Sequence, residues 1–101
     1  MCFEETEQKK VAILIRNKED QWEGLRSSLG LALEKNHVTM VVLDHEVEIT
    51  EEYEENLELF MEMDGENCSN LPINVEKYGF KPVTIEELGK KLKEMNWIIT
   101  F

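Results

Sequence analysis

The sequence predicts a small three-layer α/β/α domain built on a mainly parallel sheet of four to five strands. Three observations carry this. The runs Val11–Ile15 and Val38–Leu43 are apolar at nearly every position, which suits strands covered on both faces rather than one. Between them, Asp20 to Asn36 has helical spacing, so the first part of the chain reads as strand, helix, strand. Further on, helix-start signals alternate with short apolar runs, as a parallel sheet with crossover helices requires.

Each element has its own signal. The first strand covers about residues 10–16, and Asn17-Lys18-Glu19 forms the loop at its end. Asp20 and Glu23 match a capping box, so a helix opens there. Its inward stripe is Trp22, Leu25, Leu29, Ala32 and Leu33. Gly24, Ser27, Ser28 and Gly30 weaken this helix in isolation, which calls for close packing. Asn36-His37 ends it and feeds the second strand. Asp44 to Ile49 is a polar loop, and Thr50 is a good N-cap for a second helix running to about Met63. Tyr53, Leu57, Phe60 and Met61 form its core stripe, while Leu59 and Met63 add a second apolar face. Asp64-Gly65 stops it.

The second half is read similarly. Glu66 to Ser69 is placed as a short third strand because the alternation needs one after the second helix. Asn74 to Tyr78 suits one helical turn, and Gly79-Phe80 turns the chain. Thr84 and Glu87 form another capping box, opening a helix with the stripe Ile85, Leu88, Leu92 and Met95. Trp97 to Phe101 is the closing strand. Trp22 and Trp97 are expected in the core. Right-handed crossovers then put helices on both faces, a flavodoxin-like arrangement.

Length and composition bound the class. The chain has 101 residues, 42% of them apolar and 33% charged, which describes one ordinary globular domain. Residues 1–9 are expected to form a flexible N-terminus and residues 10–101 the domain. So small a core makes a homo-oligomer the expected state, with Leu59 and Met63 as the surplus face. No apolar run reaches the roughly 20 residues that cross a bilayer, and the polar start is unlike a signal peptide. Cytoplasmic placement without membrane contact follows as the expectation. Cys2 and Cys68 are then free thiols. The net charge is −11, and residues 44–66 hold eleven of the 22 carboxylates without one Lys or Arg. Direct nucleic-acid binding is disfavoured, because phosphate contacts need cations. The acidic stretch reads either as a solvated helix face or as a docking face for a basic partner.

Sites in open parallel sheets lie beyond the C-terminal strand ends. Here these ends bring Arg16, Asn17 and Lys18 near Asp44 and His45, with Cys68, Ser69 and Asn70 beside them. The last strand is expected to contribute little, since the sequence stops there. Cys68 is the one candidate nucleophile. A reactive thiol needs a helix N-terminus or a cation to lower its pKa, and Arg16 and Lys18 are the candidate cations. The alternative is an inert, partly buried strand residue. His45, between Asp44 and Glu46, can serve as a base, but one histidine is too few for a metal site, and no cofactor is implied. No phosphate loop exists, because Gly24 and Gly30 lie inside the helix rather than before it.

The run Val11-Ala12-Ile13-Leu14-Ile15, followed by Gln21-Trp22-Glu23-Gly24-Leu25-Arg26-Ser27-Ser28-Leu29-Gly30-Leu31-Ala32-Leu33, resembles the DsrE/DsrF-like family, which includes the DsrH and Tus sulfur-relay proteins. The closing stretch is similar too: Gly79-Phe80, the helix opening Thr84-Ile85-Glu86-Glu87-Leu88, and Trp97-Ile98-Ile99-Thr100-Phe101. The resemblance covers most of the chain from residue 10 onward and rests on packing residues. It implies a small cytoplasmic α/β domain that assembles into dimers, trimers or hexamers. It also implies, in some members, a cysteine after the third strand that passes persulfide sulfur between a donor and an acceptor protein. Cys68 lies near that position. The activity so implied is at most that of a sulfurtransferase or sulfur carrier, with Arg16, Asn17 and Lys18 shaping the pocket; the alternative is a non-catalytic oligomeric module of the same fold that binds a protein or a small ligand.

Overall fold

The structure, a computed structural model, describes residues 9–101. Cys2, and all but the last residue of the flexible start expected over residues 1–9, lie outside the described residues. Among the described residues five strands form one all-parallel sheet: β1 (Lys10–Ile15), β2 (His37–Val42), β3 (Glu66–Ser69), β4 (Lys81–Pro82) and β5 (Trp97–Thr100). Their order is β4-β3-β2-β1-β5. The helices are α1 (Gln21–Leu33), α2 (Glu51–Glu62), α3 (Pro72–Tyr78) and α4 (Ile85–Leu92). The arrangement shares flavodoxin's three layers but not its strand order.

Strand order and burial explain each other. The chain steps one way across the sheet from β1 to β4, so right-handed crossovers put α1, α2 and α3 on one face. It then jumps back to β5 beside β1, which sends α4 to the other face. Packing matches this division. Val11, Ile13 and Ile15 of β1 and Val38, Met40 and Val42 of β2 meet Leu25, Leu29, Tyr53, Leu57 and Phe60 on the thick side. On the thin side, Val41, Leu43 and Cys68 meet Leu88, with Leu14, Val83 and Leu92 partly buried against them. No helix among the described residues is long and apolar enough to cross a membrane.

Several expectations are corrected by geometry. The capping box at Asp20 does not form: Asp20 caps no backbone N–H, because Lys18–Asp20 is already a 3-10 turn, and Glu23 pairs with Arg26 at 2.9 Å. The box at Thr84 and Glu87 does form, and Thr50 accepts the Tyr53 N–H at 3.1 Å. Leu33 is 55% exposed, and Met61 and Ile85 also face outward. Each sits at the rim of its helix stripe, beyond the reach of the narrow sheet. Trp97 is half-exposed rather than core, because β5 is an edge strand. The two-residue strand β4 brings the sheet to five strands, within the expected four to five, at residues the sequence does not mark as a strand.

Two helices stop without glycine in the left-handed position. Lys35 (φ 69°) and Asp64 (φ 66°) take it. The Asn36 N–H then reaches Leu31 O at 3.2 Å and the Gly65 N–H reaches Phe60 O at 3.0 Å. These are Schellman closures, which satisfy the carbonyls left over at each helix end.

Candidate functional site

The strand order reverses between β1 and β5, and crevices at such reversals lie beyond the C-terminal strand ends. A cavity of about 450 Å³ opens there, lined by Arg16, Asn17, Asp44, Thr100 and Phe101. Three of these were legible in the sequence. Thr100 and Phe101 were not, since the last strand was expected to contribute little. Register explains them: Leu14 pairs with Thr100, and the Phe101 N–H donates to Leu14 O at 2.8 Å. Arg16 forms no ion pair among the described residues. Lys18 belongs to the 3-10 turn and does not line the cavity.

Asp44 is held in place. Its backbone is left-handed (φ 64°), a conformation that costs an aspartate energy unless its surroundings fix it. Asn70 supplies that: its Oδ1 accepts the Asp44 N–H at 3.0 Å, and its Nδ2 donates to Asp44 Oδ1 at 2.9 Å. Asn70 also borders a second cavity, of about 350 Å³, with Leu71, Pro72, Val83 and Thr84.

The loop carrying Asp44 is pinned from both sides. Gln21 Nε2 donates to Glu48 O at 2.7 Å, and the Glu48 N–H returns a bond to Gln21 Oε1 at 3.0 Å. Asn74, fully buried, accepts the Val47 N–H at 3.0 Å and donates to His45 O and Ser69 Oγ, both at 2.9 Å. Ser69 Oγ in turn donates to Val42 O at 2.8 Å and accepts the Leu71 N–H at 3.1 Å. A hydroxyl has one proton and two lone pairs, so Ser69 is fully committed to structure. His45 turns its Nδ1 to Leu43 O at 3.0 Å, and its Nε2 is buried without a partner. Among the described residues no three His, Cys, Asp or Glu side chains gather as metal ligands would.

Cys68 is not part of this edge. It sits within β3, opposite Val41 and Lys81, 5% exposed and facing Leu88. Burial pushes its thiol pKa up; the charge of Lys91 opposes this and that of Glu66 adds to it. The cations acting on it are therefore Lys91 and Lys81, not Arg16 and Lys18. Sequence alone missed this second cluster, at the far end of the sheet. There Glu66 receives the Lys91 ammonium at 3.0 Å and lies 3.6 Å from His37 Nε2. Burial alone raises the Glu66 carboxyl, but the Lys91 bond and the charges of Lys91, Lys81 and His37 together hold it below its usual value.

One pH effect follows. Tyr53 is also buried, its hydroxyl without a partner, and burial raises its pKa. Both acids thus keep their protons longer folded than unfolded. The sign is fixed: stability is full below the ordinary values of 9.0 for the thiol and 10.0 for the phenol. It declines as pH climbs past them, by up to about 1.4 kcal/mol per pH unit for each group. Urea midpoints from neutral pH to about pH 11 are expected to fall, and to fall less steeply in Tyr53→Phe. A flat profile above pH 9 contradicts this.

Comparison of the chain with protein-family models, with curated proteins and with solved structures returned no match.

Proposed function

We propose that this chain is a DsrE-like binding module that takes a small acid at the crevice between β1 and β5, and that it is not a sulfur carrier. Arg16 carries the reading. In a chain of net charge −11, a guanidinium without a carboxylate partner among the described residues sits at the reversal of strand order. A guanidinium matches a carboxylate in a two-bond fork. The fixed Asp44 carboxylate across the cavity suits a donor on the same ligand, which points to hydroxy acids and amino acids. A cation and a carboxylate lining one cavity support a binding role.

The test is titration calorimetry with a panel of small hydroxy and amino acids. Binding by at least one is expected, weakened at least tenfold in Arg16→Gln and less affected in Lys18→Gln. No heat with any member of the panel, or equal affinity in Arg16→Gln, rejects the site.

The sulfur-relay reading rests on the family resemblance and needs an accessible thiolate. Burial and a raised pKa both count against Cys68 as that group. Incubation with a persulfide donor, followed by mass spectrometry, is expected to leave Cys68 without added sulfur at neutral pH. Stoichiometric sulfur on Cys68 restores the relay.

A further inference from the structure

The two edges of the sheet are built differently. At one edge, β4 is two residues long and consists of a lysine and a proline, Lys81-Pro82. Short length, charge and proline are the devices that keep an edge from pairing. At the other edge, β5 has none of them. Trp97-Ile98-Ile99-Thr100 is uncharged, and among the described residues β5 pairs only with β1. Phe101 directs its N–H to Leu14 and its carbonyl to Arg16. By alternation along the strand, Ile98 and Thr100 turn their N–H and C=O groups outward.

The side chains beside this free edge are apolar on both faces. Parallel register puts Trp97 and Ile99 on the side of Val11 and Ile13, and Ile98 on the side of Ala12. Trp97 is 49%, Ile98 48% and Ile99 36% exposed. A lone added peptide brings no layers to cover either face. A molecule with its own sheet and helices on both sides covers both.

We propose that β5 pairs antiparallel with β5 of a second copy, about a two-fold axis at Ile99, so that the two sheets become continuous. The sequence supports self-pairing in particular. Trp97-Ile98-Ile99-Thr100-Phe101 reads nearly alike in both directions about Ile99: aromatic, β-branched, Ile, β-branched, aromatic. A two-fold interface requires this self-complementarity. In the Ile99-centred register, the outward groups of Ile98 bond those of Thr100 in the other copy. Trp97 lies opposite Phe101, and Ile99 opposite Ile99. Aromatic and β-branched cross-strand pairs are the stabilising kinds, and no like charges meet. Of the eleven carboxylates of residues 44–66, nine belong to α2 and its flanking loops, Glu66 lies in β3, and Asp44 faces the Arg16 cavity, where Asn70 holds it. A strand pair of this length buries less than a standard stable interface, so micromolar association is expected. Pairing also brings Trp97 of each copy beside Phe101 of the other, at the wall of the Arg16 cavity. The inference stands on the sheet edge alone and is independent of whether that cavity binds an acid.

Sedimentation equilibrium over a range of concentrations tests it. Wild type is expected to dimerise at micromolar concentration. Ile99→Lys, which sets two ammonium groups across the axis, is expected to raise the dissociation constant at least roughly tenfold with unchanged circular dichroism. Under mild oxidation, Ile99→Cys is expected to yield a dimer bridged at position 99 of both copies, because directly opposed side chains are within disulfide reach. Ile85→Cys on the exposed start of α4 and wild type give no such bridge. Wild type that stays monomeric throughout, a dimer unweakened by Ile99→Lys, or no bridge at position 99, overturns the proposal.

Discussion

Replacing Asn74 by alanine is expected to remove about 3–4 kcal/mol of stability, a large part of what a domain of this size has. The side chain is fully buried and serves three partners at once. Without it the Val47 N–H, itself in a buried residue, has no acceptor, and His45 O and Ser69 Oγ lose a donor. Each stranded buried group costs about 1–3 kcal/mol, since the space is too closed for full rehydration. Asn74→Asp is expected to be no milder. It keeps an acceptor for Val47 but aims a second oxygen at the His45 carbonyl. As a control, Asn56→Ala removes only the exposed 2.8 Å bond from Asn56 to Glu52 O and is expected to change stability by less than about 0.5 kcal/mol. Thermal melting separates the cases: the Asn74 variants are expected to melt at least roughly 12 °C below wild type. A shift of only a few degrees contradicts the argument.

Asn74 also shows where reading a sequence stops. Its neighbourhood was legible as a helical turn after the third strand, because Pro72 and Gly79 bracket it. Its role was not. An asparagine in a short helix looks like a solvated residue until the fold brings Val47 and His45, 27 and 29 residues away in the chain, against it. The same divide runs through the candidate site. Arg16, Asn17 and Asp44 follow apolar runs, and the position of those runs in a parallel sheet was readable, so the residues at their ends were too. Thr100 and Phe101 depend on β5 lying beside β1, which is a matter of strand order. Cys68 depends on which way one residue of a four-residue strand points. One step in register separates a loop-facing thiol from one under Leu88. Helix stripes were readable at their centres, Leu25, Leu29, Leu57 and Leu88, and failed at their edges, Leu33, Met61 and Ile85. Periodicity gives a direction but not the width of the sheet below.

The passage from α2 into β3 gives the second large effect. Phe60 is fully buried on the thick side of the sheet, and Phe60→Ala is expected to cost about 3–5 kcal/mol through lost burial and the cavity left behind. Its ring also explains the glycine that follows the helix. The left-handed turn is made by Asp64, so Gly65 is not needed for its freedom of φ. It is needed for space: a Cβ at Gly65 would meet Cε1, Cζ and Cδ1 of the Phe60 ring. The ring is held by the core on its other side and cannot swing away. Gly65→Ala is therefore expected to cost about 1–3 kcal/mol in wild type, as overpacking does. Because the two effects share one contact, they should not add. In a Phe60→Ala background the obstructing ring is gone, and Gly65→Ala is expected to be nearly neutral. The double-mutant cycle then gives a coupling of about 1–3 kcal/mol. Urea unfolding of the four proteins measures it. Equal cost of Gly65→Ala in both backgrounds shows instead that the glycine serves the backbone of the Schellman closure, and that the ring is not what excludes a side chain there.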